Sequence, residues 1–185
     1  TYSVTGPADD PVLYGGVLES YNRIAQALLH AVQSLSVPVE MKEHHDGHTP
    51  QNLNPVCFEV PSTYEITVDG KKLIGSAQAR KREGVLQHGS LPLTGDLTRI
   101  CDALVFADDL SRQSAKERLL ARATTVKSVL DADILWEIAA QSFVQGFETE
   151  LDIQFERGDM SPSELQRTEE LVKEKYAHPS WTERS

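Results

Sequence analysis

A chain of 185 residues with 39% hydrophobic and 25% charged residues has ordinary globular usage and can bury one sizeable core, which argues against disorder and fibrous repeats. A formal charge of -10 offers no basic footprint for a phosphate backbone, so nucleic acid is excluded as a main partner. No apolar run approaches the roughly 18 residues of a membrane span, no signal-peptide pattern is seen, and Cys57 and Cys101 are too few for a secreted disulfide framework, so a cytoplasmic protein with reduced thiols is expected.

Thr1 to Val4 reads as a strand already under way, which predicts that processing or truncation removed what came before it. Gly6-Pro7-Ala8-Asp9-Asp10-Pro11 is a loop by its turn chemistry. Val17, Tyr21, Ile24, Leu28, Val32 and Leu35 recur at steps of three and four, predicting a core-packing helix that opens at Gly15-Gly16. Val37 to Met41 reads as a strand. After it, His44, His45, Asp46 and His48 invite a metal reading, but the stretch has no apolar anchor and no helical or strand period. A polar surface loop is therefore expected there, and no metal site is assigned.

Tyr64, Ile66 and Val68 alternate with Glu65 and Thr67 as a strand does, and Asp69-Gly70 supplies a two-residue hairpin turn. Unbroken pairing across that turn sets Val68 opposite Lys71, Thr67 opposite Lys72 and Ile66 opposite Leu73, so Lys72 shares a face with Thr67 and Glu65. A second turn at Glu83-Gly84 returns the chain through Val85 to Leu91, giving a three-stranded antiparallel meander with one apolar and one polar face. Gly95-Asp96-Leu97 opens a short helix in which Cys101 is a small core residue. Leu110 to Arg122 is expected as a mobile helix or connector, and Ser128 as the cap of the next helix. Ile134 to Phe147 should form an amphipathic helix ending near Gly146, with Leu151, Ile153 and Phe155 alternating as a strand. Ser161-Pro162-Ser163-Glu164 is a capping box with proline in the first turn, opening a last helix through Leu165, Leu171 and Tyr176.

The candidate chemistry lies between Cys57 and Leu91. A thiol has an ordinary pKa near about 8.5, and a neighbouring cation favours the nucleophilic thiolate. Lys72 is the obvious cation, and a lysine in its amine form can also accept the proton of an attacking substrate amine. Residue type alone leaves plainer roles open: a cysteine before phenylalanine is commonly buried, a lysine after a turn commonly solvated, and His88 commonly a hydrogen-bonded structural residue. The small residues Gly75, Ser76, Ala77, Gly89 and Ser90 let backbone approach closely, either to a ligand or to a neighbouring helix.

Three segments carry a resemblance: Pro55-Val56-Cys57-Phe58-Glu59-Val60-Pro61-Ser62, Gly70-Lys71-Lys72-Leu73-Ile74-Gly75-Ser76-Ala77-Gln78 and Leu86-Gln87-His88-Gly89-Ser90-Leu91. Together with Glu19, Tyr21, Gly146-Phe147-Glu148-Thr149, Leu151, Lys175-Tyr176-Ala177 and Trp181, they resemble the lipoate-protein ligase A and octanoyltransferase family, within it the LipM-type octanoyltransferases. The likeness spans nearly the whole chain. It implies an α/β (α+β) fold with a mixed or antiparallel sheet and flanking helices, shared with biotin protein ligases. Residues 1–110 would be the C-terminal part of the catalytic domain and 111–185 a mainly helical segment packed on it.

The implied activity is transfer of an octanoyl group from octanoyl-acyl carrier protein, through a cysteine thioester, to a lysine of a lipoyl-accepting protein such as the glycine-cleavage H protein or an E2 lipoyl domain. By motif position Cys57 would carry the acyl group, Lys72 would be the family lysine, and Gly75, Ser76, Ala77, Gln78, His88 and Gly89 would line the acyl pocket. No cofactor is implied; ATP and Mg enter only if the chain is a lipoate ligase, a reading that Cys57 argues against. The resemblance is also compatible with an octanoyl amidotransferase or with an incomplete lipoyl-domain-binding fragment. The family's Arg-Arg-x-x-Gly-Gly segment and His-Asp motif, which precede the position of Thr1, are not in this sequence, so the N-terminal part of the domain is expected to be missing. Arg80-Lys81-Arg82 is either a docking patch for an acidic carrier protein or a solvated turn.

Overall fold

The computed structural model describes residues 1–43 and 64–183. Strand β1 (Tyr2–Gly6) is followed by helix α1 (Val17–Ser34), then by β2 (Glu40–Glu43), β3 (Tyr64–Val68), β4 (Lys71–Lys81) and β5 (Gly84–Ser90). Among the described residues these strands form one antiparallel sheet in the order β1-β5-β4-β3-β2, with the expected meander as its centre. Asp69 and Gly70 make the hairpin turn at φ values of 49° and 76°, the left-handed pair that such a turn demands.

The apolar stripe of α1 meets the sheet as its spacing predicts. Ile24, Leu28 and Val32 join Ile66, Val68, Ile74 and Val85 in the main core. Gly16 is the N-cap, and Glu19 reaches back to its backbone N–H at 2.7 Å. The loop before α1 is held by arginines: Arg23 donates to the carbonyls of Val12 and Tyr14, and Arg80 donates to that of Leu13 at 2.9 Å.

Local expectations from residue 110 onward are partly corrected. Of the helix and connector readings of Leu110 to Arg122 the helix holds, as α2 (Asp109–Arg122), capped by Asp108, whose side chain accepts from the Ser111 N–H at 2.7 Å. Its narrow stripe, Ala115 and Leu119, packs with Cys101 and Ala123 in a second small core, where Cys101 is fully buried. Ser128 caps nothing after it: Thr125 is the N-cap of helix α3 (Val126–Leu130) and accepts from the Ser128 N–H at 3.1 Å. Helix α4 (Trp136–Leu151) runs straight through Gly146, because that glycine is where α4 crosses α1. A Cβ there would lie 2.7 Å from the Ala27 carbonyl oxygen and 2.9 Å from the Ala31 Cβ. Leu151, Ile153 and Phe155 therefore form no strand. Leu151 ends the helix, Asp152 takes a left-handed φ of 51°, and Ile153 folds back against the core.

Contacts group Thr1–Ile153 as one compact unit and Gln154–Ser185 as another. Within the second, Ser161 and Glu164 form the reciprocal capping box of α5 (Pro162–Leu171), a π-turn covers Val172–Tyr176, and α6 (Pro179–Thr182) is a single turn. Among the described residues no helix is long and apolar enough to cross a membrane.

Candidate functional site

Lys72 is the second residue of β4, and its surroundings are not those of a solvated strand residue. Only 7% of its side chain is exposed, and its Nζ lies 3.0 Å from Oε1 of Glu65, itself 10% exposed. The backbone is pinned on both sides. Thr67 of β3 pairs with Lys72 across the hairpin, and on the other flank the Thr124 N–H donates to the Lys72 carbonyl at 3.0 Å. The segment carrying Thr124 continues as a strap, its Val126 and Lys127 N–H groups donating to the Pro92 and Leu93 carbonyls at 2.9 Å each.

The register beyond Lys72 departs from the simple hairpin. Ile66 faces Ile74, not Leu73, so one step on β3 is matched by two on β4 and Leu73 is the extra residue of a β-bulge. Directly opposed residues share a face of a sheet, and successive residues alternate. Ile66 and Ile74 thus lie on the core face with α1, whereas Thr67, Lys72 and Glu65 lie on the other. Without the bulge Lys72 would share its face with Ile74, Ser76 and Gln78. With it, Lys72 shares a face with Gly75, Ala77 and, across from Ala77, His88.

The residues expected to line one acyl pocket are consequently divided between two faces. Gly75, Ala77 and the exposed His88 lie on the Lys72 side. Ser76, Gln78 and Gly89 lie beneath the helices, in a polar network that the sequence did not reveal. The Tyr2 hydroxyl donates to Ser76 Oγ at 2.7 Å and accepts from Gln87 Nε2 at 3.1 Å. Gln78 Nε2 donates to Gln87 Oε1 at 2.9 Å, and Gln78 Oε1 accepts from Ser20 Oγ of α1 at 3.1 Å. Arg80 closes the chain, donating to Ser20 Oγ at 3.0 Å and to Gln78 Oε1 at 3.3 Å. Gly89 leaves room for the Tyr2 ring: a Cβ there would sit 2.6 Å from Tyr2 Cε1 and 2.5 Å from the Gly75 carbonyl oxygen.

Burial pushes the Tyr2 phenol above its ordinary pKa, with the bonds from Gln87 and Ser76 acting in the opposite direction. An apolar cleft of about 170 Å3 adjoins Tyr2, lined by Leu91, Leu93, Trp136 and Phe143. Arg80, committed to Leu13, Ser20 and Gln78, is withdrawn from the Arg80-Lys81-Arg82 docking patch. Cys57 and the histidine-rich stretch from His44 to His48 lie outside the described residues. The signals for the missed network were weak but present: Gln87 occupies an inward position of β5 between Val85 and Gly89, where a polar side chain must find a partner.

A sheet of this order, with a helix pair on one face and a buried lysine on the other, agrees with what comparison with known proteins returns. Residues 1–148 match the family described as the lipoyl protein ligase A/B catalytic domain. The chain belongs to that family. It is 34% identical over 185 residues to an octanoyltransferase LipM of Bacillus anthracis, covering 98% of this chain and 66% of that protein. Similar relatives are octanoyltransferase LipM of Moorella thermoacetica, 34% identical over 184 residues, covering 100% of this chain and 67% of the relative, and that of Bacillus subtilis, 30% identical over 187 residues, covering 98% and 66%. The chain therefore spans about 66% of the length of these relatives.

Solved structures support the fold assignment. A bi-partite lipoate protein ligase from Thermoplasma acidophilum, studied with its E2 lipoyl domain, superposes with a TM-score of 0.74 at 19% identity, covering 97% of this chain and 61% of that one. A lipoate-protein ligase A bound with ATP superposes at 0.70, again with 19% identity, covering 97% and 62%. The expected antiparallel sheet with flanking helices is thus the lipoate-ligase catalytic architecture.

Proposed function

We propose that the protein is an octanoyltransferase, moving an octanoyl group from octanoyl-acyl carrier protein through a thioester on Cys57 to a lysine of a lipoyl-accepting protein. The observation that carries this reading is the likeness, along 98% of the chain, to octanoyltransferases of the LipM type. The buried Lys72–Glu65 pair supports it, because it holds a cation on a sheet face lined by small residues.

In the first half of the reaction the Cys57 thiolate attacks the donor thioester carbonyl, the new thioester forms and the carrier thiolate leaves, to take a proton from solvent. In the second, the acceptor lysine amine attacks the Cys57 thioester, an amide forms, the amine loses a proton and the cysteine thiolate departs. A fixed positive charge near the carbonyl lowers the cost of the oxyanion that develops in both steps.

Intact mass after incubation with octanoyl-acyl carrier protein tests the reading. A single octanoyl adduct is expected on the native protein and none on Cys57→Ser, and an adduct surviving on the serine variant overturns the thioester route. Lys72→Ala is a poor probe of chemistry, since it breaks a buried ion pair by removing one member, a change that typically costs about 3 to 5 kcal/mol. Lys72→Gln keeps a donor for Glu65 while removing the charge, and is expected to slow transfer about a hundredfold or more.

A further inference from the structure

We infer that Gln78 and Gln87 are positioning residues: their cross-strand bond beneath the helices keys the register of β4 against β5, and so holds His88 opposite Ala77 on the Lys72 face. Ser76, Gln78 and Gly89 then act on that face through the sheet, without lining it. The consequence for acyl transfer rests on the octanoyltransferase reading; the register itself is testable without it.

The register of a strand pair is ordinarily fixed by an alternating apolar face or by the turn that joins the strands. Neither is strong here. Beyond Ile74 and Val85, the helix-side face of the pair carries Ser76, Gln78 and Arg80 on β4 and Gln87 and Gly89 on β5. The other face sets Gly75, Ala77 and Ala79 against Ser90, His88 and Leu86. The turn at Arg82-Glu83 also differs from that at Asp69-Gly70, because neither Arg82 nor Glu83 takes the left-handed φ that fits a two-residue turn to the twist of its strands.

What distinguishes one alignment from the next is the polar layer. Gln78 and Gln87 stand directly opposite each other, and Gln78 Nε2 donates to Gln87 Oε1 at 2.9 Å. Gln87 is fully buried and donates in turn to the Tyr2 hydroxyl at 3.1 Å, which reaches on to Ser76 at 2.7 Å. Strand β1 is thereby tied to both neighbours. A slip of one residue would turn Gln87 to the other face of the sheet and break its bonds to Gln78 and Tyr2. It would also bring a side chain beneath the Tyr2 ring, where a Cβ on Gly89 would already lie 2.6 Å from Cε1. A buried polar residue that finds its partner in one alignment only is an attested means of fixing register, at some cost in stability.

The test replaces both glutamines by methionine, which keeps their volume. Gln78→Met with Gln87→Met strands no neighbour: Tyr2 keeps Ser76, Ser20 keeps the Gly16 carbonyl at 3.0 Å, and Arg80 keeps Ser20 and the Leu13 carbonyl. Its urea midpoint is therefore expected close to the native one, since both members of the pair become apolar together. NMR of isotope-labelled native protein should show one set of His88 signals with cross-strand contacts to Ala77. The double variant should show more than one set, with His88 contacts to other residues of β4. In kinetics with hexanoyl-, octanoyl- and decanoyl-acyl carrier protein, the preference for octanoyl, read as a ratio of kcat/KM, should fall about tenfold in the double variant. A purely structural pair would leave that ratio unmoved. Gln78→Leu with Gln87→Leu carries the same measurements should the methionine pair fail to fold.

A single native register in the folded double variant overturns the inference, as does an unchanged acyl-length preference. Absence of octanoyl transfer in the native protein would instead sink the acyl-transfer reading, and the His88 signals would still decide whether the two glutamines set the register.

Discussion

Tyr2 places a phenol among Gln87, Ser76 and the rings of Phe143 and Phe147, whose centroids lie 6.1 and 6.2 Å from its own. Its raised pKa has a definite sign for stability. Below the ordinary value of 10.0 the phenol is protonated in both folded and unfolded chains. Above it, the unfolded chain ionises while the buried phenol resists, so stability falls as pH rises toward the folded value. The urea midpoint of the native protein should therefore drop more steeply as pH rises above 10.0 than that of Tyr2→Phe, which lacks the ionisable group. At neutral pH the phenylalanine variant should be less stable by about 1 to 2 kcal/mol, the cost of leaving Gln87 and Ser76 short of a partner. Arg80 shows the reverse case: in a basic triplet the sequence marked it as a surface charge, yet its guanidinium is spent inside the fold.

At the level of elements, the α1–α4 crossing is a close approach of two helices at Gly146. Gly146→Ala sets two effects against each other. Helix propensity favours alanine by about 1 kcal/mol. The added methyl would stand 2.7 Å from a backbone carbonyl oxygen and 2.9 Å from a backbone nitrogen of α1, neither of which can rotate away, so the helices must part. Overpacking of this kind costs about 1 to 3 kcal/mol, and a net loss in chemical denaturation is expected, with Gly146→Leu far worse; a more stable alanine variant would show that the crossing relaxes. The same glycine explains why α4 outruns its expected end, since a glycine inside an apolar period is as good a sign of a helix end as of a close crossing. Helix α2 shows the converse: one buried turn, Ala115 and Leu119, anchors a helix whose remaining residues look solvated.

For the whole molecule, the relatives and the fold neighbours suggest different energetics for the same scaffold. The relatives named above, at 30% and 34% identity, are octanoyltransferases, whereas one of the structures superposing at 19% identity is a ligase bound with ATP. The octanoyltransferase reading makes the donor thioester supply the free energy. Octanoyl-acyl carrier protein alone should then modify a lipoyl acceptor, while free octanoate or lipoate with Mg-ATP should leave it unmodified, as read by acceptor mass. Modification that needs nucleotide would move the protein to the ligase side of its family.

The sequence by itself determined the helix from Val17 to Ser34, the Asp69-Gly70 hairpin, the central meander and the Ser161–Glu164 cap. Each depends on a period or a turn written within a few residues. It also placed Lys72 beside Thr67 and Glu65, because pairing next to a two-residue turn leaves no freedom of register. What only the tertiary structure decided is which other residues share that face. Leu73 is an ordinary strand residue, and nothing local announces that it will bulge. The bulge separates Lys72 from Ser76 and Gln78 and sets it with Gly75, Ala77 and His88. Burial of the Lys72–Glu65 pair was equally invisible, and so was the backbone bridge that ties Lys72 to Ala123 and Thr124, some fifty residues further along the chain. A side chain's solvent is chosen by what packs over it, and that is a property of the folded chain.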